Sequence, residues 1–490
     1  MLSTRLGYLR PARFAAALAL ALLAGVSLVW RLFLGAGFCH GALVDLAGMP
    51  LIRKDDRRRS FHTTTRVRHE CVVVAGEAVV EREGMNAFFQ ELGRTVLERW
   101  KAANFSLAAF PEIARTALDE RPPAAHVDLS TFVREFLIND EQPFQTLSGF
   151  GQPELVAYTH PRFYIQLLFW LDGTTDIHQH EFSGAFHVMS GSSIHAHYEF
   201  ENAQDVTPHF RVGDVRMKEI ELLETGRTVP IISGRRCIHS LFHLDTPSVT
   251  VVVRTHNDPG TGPQFNYLPP HVAMDPVFSD ELTMRRKQLL DVLEQIEDPA
   301  YAELVLEMIE ELDCERGFFI LQHAMAHLQN LDEWQPVLSA YQKKHGALAA
   351  GVAATLEEGV RREIIKEMRG AIGEPEHRFF LALLMNVPTR ADVLALVALR
   401  FPGEAPVETV LRWAEELGAE TDGGIAILDA GFPESVEIAE EDQPDLFMAA
   451  LRHFIEGGKK VPAALRALPP AQLKQLREAF AASSLRVLVV

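Results

Sequence analysis

Gly173 to Gly191 reads GTTDIHQHEFSGAFHVMSG, and a second stretch, Pro230 to His243, reads PIISGRRCIHSLFH. Successive side chains of an extended strand point to opposite faces, so His178 and His180 share a face and can reach one metal ion from adjacent pleats. A third imidazole completes the donor set. His239 is the candidate, because it ends a turn-rich segment and precedes the β-forming run SVTVVVRT. By the same parity Glu181 turns to the other face unless a bulge intervenes.

Outward from these stretches, period-two segments separated by turn residues fill residues 141–275: ELVAY, RFYIQLLFWL, IHQHEF, AFHVMSG, SIHAHYEFE, VRMKEIEL, TVPII and PSVTVVVRT, with TPHFRVGD among the turns. Short strands at this spacing predict a sandwich or small barrel, whose interior can hold one small ligand. Residues 85–140 carry helical periodicity in MNAFFQELGRTVLERW and VDLSTFVREFLIND, and form an arm or lid. Asp128 or Ser130 is placed to cap the second of these helices, and Trp100 and Phe105 to pack against the strand-rich domain. Beyond the proline- and glycine-rich exit HNDPGTGPQFNYLPPHVAMDP, residues 280–490 are helical throughout, with no repeat of fixed length, and form a bundle or irregular solenoid. The fold class expected is α+β multidomain: a central antiparallel β-barrel, an N-terminal helical arm and a large all-α C-terminal domain.

Residues 1–84 differ in kind. They carry twelve Lys/Arg against seven Asp/Glu, a net +5 in a chain of net charge −19, and Lys54 is their single lysine. The apolar run Phe14–Trp30 follows Arg5, Arg10 and Arg13 and is of about the minimum length to span a bilayer. Two readings stand: a leader or anchor, or an over-extended reading frame with translation starting at Met85, which we favour. The protein is then expected in the cytoplasm, or membrane-anchored if residues 14–30 are translated and inserted. The acidic balance argues against a nucleic-acid groove. Cys39, Cys71, Cys237 and Cys314 show no paired spacing, which indicates neither a disulfide framework nor a zinc knuckle.

The paired stretches resemble the two motifs of the cupin superfamily, G-x5-H-x-H-x3,4-E-x6-G and a second motif with Pro, Gly and His, over about 110 of the 490 residues. The resemblance implies a jelly-roll barrel with metal ligands on neighbouring strands. At the place of the family's glutamate this chain has Gly184 or Ala185. That departure is similar to the three-histidine thiol dioxygenases of the cysteine dioxygenase kind, and the lead-in FYIQLLFWLDGTTDIHQH is similar to their aromatic strand. It implies Fe(II), or another divalent metal, held by His178, His180 and His239, with dioxygen and a small thiol- or carboxylate-bearing substrate as reactants. Three neutral imidazoles leave the ion its full charge and about three open positions. The Ser-x-His-x-Tyr run of that family is absent: the corresponding strand reads VVVRTHN. Arg254 is the candidate catalytic residue, a carboxylate anchor. Arg162 and Tyr158-Thr159-His160 are further, weaker candidates for a substrate clamp.

Other residues have blander readings. His195 and His197 suit a solvent face or a hydrogen-bonded pair; His243 suits a surface position, or else a supporting place behind the ligands; Cys237 suits a small buried residue, or else a thiolate ligand, since it shares the face parity of His239. His187 or His195, if inward, would make the pocket histidine-rich. His323 and His327 at i, i+4 share a helix face, yet no acidic or cysteine companion follows at a recognised spacing, so packing or surface placement is expected. Two function classes are compatible with these features. One is a non-haem iron oxygenase. The other is a metal-stabilised sensor or scaffold acting on a protein partner through the C-terminal helices, favoured if Phe163, Phe169, Phe182 and Phe186 fill the interior.

Overall fold

Two five-stranded antiparallel sheets form the middle of the chain in the computed structural model, which describes residues 85–146, 150–278, 280–328, 331–420, 443–457 and 461–490. The first sheet runs β1 (Glu154–His160), β2 (Phe163–Trp170), β8 (Ser248–Thr255), β3 (Gly184–Ser190), β6 (Thr228–Ile231). The second runs β7 (Ile238–His243), β4 (Ser192–Thr207), β5 (Phe210–Glu224), β10 (Val272–Met274), β9 (Asn266–Leu268). No ladder among the described residues joins the two, so the expected closed barrel is instead a pair of separate sheets. The segment Phe14–Trp30 lies outside the described residues, and no helix among those described is long and apolar enough to cross a membrane.

Three details of the strand reading change. IHQHEF forms no regular strand: only His178 makes β-bridges, one to His239 and one to Asn266. The expected turn TPHFRVGD shrinks to the residues between β4 and β5, because the register shifts in that pair absorb Gly213 and Asp214 into one long hairpin. Two short strands, β9 and β10, lie in the proline-rich exit, where the residues between prolines pair with each other and with β5.

Alternation along the first sheet divides its faces. Phe163, Ile165, Leu167, Phe169, Ala185, Met189, Val249, Val251 and Val253 face helices α1 (Met85–Ala102), α2 (Phe110–Glu120), α3 (Pro123–His126) and α4 (Leu129–Ile138), and form one core with Phe89, Val96, Trp100 and Phe110. Trp100 thus packs against the sheet as expected, its ring centroid 6.3 Å from that of Phe163, and Asp128 caps α4 by accepting from the Thr131 amide at 2.9 Å. Tyr164, Gln166, Leu168, Trp170, Thr250, Val252 and Arg254 take the other face, toward the second sheet.

Among the described residues the remainder is helical: α5 (Glu281–Gln295), α6 (Tyr301–Glu311), α7 (Cys314–Ala324), α8 (Leu331–His345), α9 (Val352–Ala371), α10 (Pro375–Asn386), α11 (Arg390–Arg400), α12 (Pro406–Glu420), α13 (Gln443–Ile455), α14 (Pro470–Ala482) and α15 (Arg486–Val489). Their cores run into the sheets through Ile194, Phe242 and Leu244 on one side and Phe210 and Val272 on another. Two arginines seal the junction. Fully buried Arg369 donates to the carbonyls of His243 (3.0 Å) and Leu171 (3.3 Å), and Arg378 to the Leu244 carbonyl (3.1 Å). Each satisfies strand-end carbonyls that burial would otherwise leave without a partner.

Candidate metal centre

The segment Ile177–Gln179 lies between the two edge strands of the second sheet and bonds to both. His178 and His239 exchange backbone hydrogen bonds at 2.9 Å each, the Tyr267 amide donates to the Ile177 carbonyl at 2.7 Å, and the Gln179 amide to the Phe265 carbonyl at 3.1 Å. This pins the backbone at both histidines although it belongs to no ladder. His178, His180 and His239 are all buried, and one donor nitrogen from each lies within 4.8 Å of the other two. His178 and His180, paired by strand parity, and His239, chosen from its place before SVTVVVRT, therefore do meet.

Hydrogen bonds fix which nitrogens are free. The Nδ1–H of His178 donates to the Asp176 carbonyl at 2.8 Å, so its Nε2 carries a lone pair, and that atom is buried without a partner. For His239 the tautomer is set from Glu221, a carboxylate that only accepts. His195 Nδ1–H donates to Glu221 Oε1 at 3.1 Å, His195 Nε2 then accepts from His239 Nδ1–H at 2.8 Å, and His239 Nε2 is left with its lone pair. His180 Nε2 lies 2.8 Å from that nitrogen, while His180 Nδ1 has no partner. Burial pushes all three imidazoles below their ordinary value, His180 and His239 far below, with the neighbouring histidines adding to it. Neutral rings whose nitrogens lie this close are the state that binds a divalent ion.

Gly184 accounts for the missing carboxylate. A Cβ there would lie 2.0 Å from the Val253 carbonyl oxygen, so neighbouring β8 leaves no room for any side chain. Glu181 faces elsewhere, accepting from the Gln264 amide and the Asn257 side chain at 3.0 Å each, which holds the loop after β8. Behind His178, the Asp176 carboxylate is held below its usual value by Lys366 of α9, whose Nζ lies 2.6 Å away.

The triad forms part of the wall of a cavity of about 320 Å³ between the sheets. Arg254 lines it too, its guanidinium 3.3 Å from the centroid of the Phe182 ring, and its charge acts on His180. Burial lowers the pKa of Arg254, so an anion entering the cavity meets a poorly solvated cation. Gln166 Oε1 and Trp170 Nε1, on the same wall, are buried without a hydrogen-bond partner. Phe182 and Phe186 line the cavity, whereas Phe163 and Phe169 lie on the helical side of the sheet. Arg162 stands outside, its guanidinium 4.3 Å from the centroid of Phe105.

Several histidines depart from their expected places. His195 is fully buried and joins the triad to Glu221 instead of facing solvent. His243 is also fully buried, stacked on Trp170 at 4.7 Å and paired with the Ser193 hydroxyl at 2.9 Å; the helices that cover the strand end remove the surface it was assigned to. His187 points to the helical arm, bonded to Thr228 at 2.9 Å. Cys237 is buried and outside the triad. His323 and His327 do have an acidic companion, Asp291 of α5, which precedes them in the chain instead of following. The sequence signal for His195 was its i, i+2 pairing with His197; nothing local marked Glu221, which is 26 residues away across a hairpin.

No protein-family model matches this chain, and no curated protein does. Among solved structures, the DMSP lyase DddQ from Ruegeria pomeroyi DSS-3 is similar over 38% of this chain and 98% of its own, at 13% identity and a TM-score of 0.21. A likeness of that size fixes neither fold nor activity.

Proposed function

We propose that this chain is a cupin-type non-haem iron oxygenase, in which His178, His180 and His239 hold Fe(II) or a similar divalent ion and Arg254 anchors a small anionic substrate. The observation that carries this reading is the meeting of three buried imidazoles at the wall of a cavity that also exposes a cation, with His178 Nε2 left without a partner beside the His180 Nε2–His239 Nε2 pair. Bound there, a ferrous ion supplies a Lewis acid and an electron source for dioxygen.

The chain's own residues account for the rest. Glu221 and His195 keep His239 in the tautomer that offers Nε2, and Asp176 does the same for His178 through its carbonyl. Arg254 donates from Nε to the Thr255 carbonyl and from Nη2 to the His256 carbonyl at 3.3 Å each, which leaves Nη1 and the second Nη2 hydrogen for a carboxylate. Phe182, Phe186 and Trp170 exclude water from the reacting groups. Gln166 Oε1 is the unpaired acceptor available to a substrate N–H or O–H. Dioxygenation of a small thiol- or carboxylate-bearing compound fits a cavity of this size and charge.

The test is anaerobic reconstitution with ferrous iron, followed by oxygen uptake over a panel of small thiols and carboxylates. Uptake that depends on one panel member and disappears in Arg254→Gln supports the enzyme. Iron binding without uptake from any member favours the other reading, a metal-stabilised scaffold working through its helical region, for which the aromatic wall of Phe182, Phe186 and Trp170 is the supporting feature.

A further inference from the structure

A second meeting of histidines and carboxylate lies in the helical region. Asp291 and Glu294 sit on α5, and His323 and His327 at the end of α7 and in the turn just beyond it. His323 Nε2 is 3.0 Å and His327 Nε2 is 3.5 Å from Asp291 Oδ1, and Glu294 Oε1 is 4.0 Å from His327 Nδ1. The His323 ring bonds to the Lys287 carbonyl, while its Nε2, sealed from solvent, makes no hydrogen bond. With the other ring nitrogen donating, Nε2 carries a lone pair beside a carboxylate oxygen, off the line of a hydrogen bond to it. A proton on Nε2, or a cation between the two groups, turns that contact from repulsive to attractive.

The separations suit an ion. Donors about 2.0–2.1 Å from a tetrahedral zinc lie roughly 3.3 Å from one another, and 3.0 and 3.5 Å bracket that spacing. The Tyr301 hydroxyl, buried and without a partner, feels the charge of both Asp291 and Glu294. Lys287 of the same helix acts on Asp291 and His323 and is the charge an ion must work against; burial already lowers its pKa.

We infer that Asp291, His323 and His327 form a second divalent-metal site, of the zinc class, that ties α5 to α7. Two imidazoles and one carboxylate are a borderline donor set matched to such ions, and Glu294 adds negative charge on the far side of the His327 ring, 4.0 Å from Nδ1. The fold gives this tie a purpose. Along α5 only Thr283 and Leu290 are buried, and Leu282, Leu289, Val292 and Ile296 are exposed, so apolar packing holds the helix weakly. A metal bridging to α7 fixes it.

The site does not depend on the cavity reading, and zinc binding to the full chain separates the two. After chelator treatment, the wild type is expected to take up one more zinc equivalent than Asp291→Asn. At this site the variant's affinity is expected to fall by at least about 100-fold, the upper end of what losing an outer partner alone costs. The rise in unfolding temperature on adding zinc persists in His178→Ala and is lost in Asp291→Asn. Asn is nearly isosteric with Asp, and His327→Gln is the second variant should it not fold. Equal zinc stoichiometry and affinity in the wild type and both helix-site variants overturns the inference. So does wild-type zinc that disappears entirely in His178→Ala.

Discussion

The two faces of the first sheet are made by the same three strands and differ in one respect. Toward the helical arm β2, β3 and β8 present Phe163, Ile165, Leu167, Phe169, Ala185, Met189, Val249, Val251 and Val253, and the polar residues of that parity, His187 and Thr255, are both hydrogen-bonded. Toward the second sheet the alternate positions include Gln166, Thr250, Arg254 and Trp170, two of them with buried polar atoms that bond to nothing. An unpaired buried polar group costs on the order of 1–3 kcal/mol, and a fold alone gives no reason to keep several on one wall. The outer face is built for stability; the inner face carries buried polar groups that no other protein group satisfies.

The largest effect tests the outer face. Phe163→Ala removes a fully buried ring packed against Trp100, Phe110 and Tyr158 and is expected to cost roughly 3–5 kcal/mol in urea unfolding, lowering all functions together. On the inner face the pattern reverses. Arg254→Gln is expected to lower kcat/KM for an anionic substrate by about 100-fold, on the order of 3 kcal/mol, while the urea midpoint moves far less than in Phe163→Ala. A variant that unfolds as readily as Phe163→Ala would make Arg254 a structural residue and erase the contrast.

Glu221→Gln sharpens the comparison further. Its amide can offer an N–H to His195 Nδ1, releasing the tautomer that the carboxylate holds, and iron affinity is expected to fall about 10- to 100-fold with the triad intact. Unchanged affinity would remove Glu221 and His195 from the centre. The smallest effect is in pH. Burial lowers His187 from 6.5 to about 4, so the unfolded chain takes up that proton first as pH falls. Its contribution to stability is fully present above pH 6.5 and is lost between there and about pH 4. His187→Gln is expected to flatten that part of the stability–pH curve, and an unaltered slope would contradict the assignment.

Strand parity made the triad legible: His178, His180 and His239 converge even though the stretch that holds the first two bonds through a single bridging residue. Helical spacing marked the C-terminal region in the same way, whereas Phe163 and Phe169, grouped by sequence with Phe182 and Phe186, face the helical arm instead of the cavity. Sequence could not show the partners brought by tertiary pairing. Glu221 reaches His195 across a hairpin, and Asp291 reaches His323 from another helix. The surface position expected for His243 failed because its strand end is covered by Arg369 and the helices. The barrel failed because alternation reports which face a residue takes and not whether the outermost strands meet.

Iron content after anaerobic reconstitution tests the centre most directly, compared across wild type, His178→Ala in the centre and His187→Ala on the outer face of the first sheet. One iron equivalent present in wild type and in His187→Ala, and lost in His178→Ala, is the predicted result. No iron in the wild type, or equal iron in all three, would contradict it.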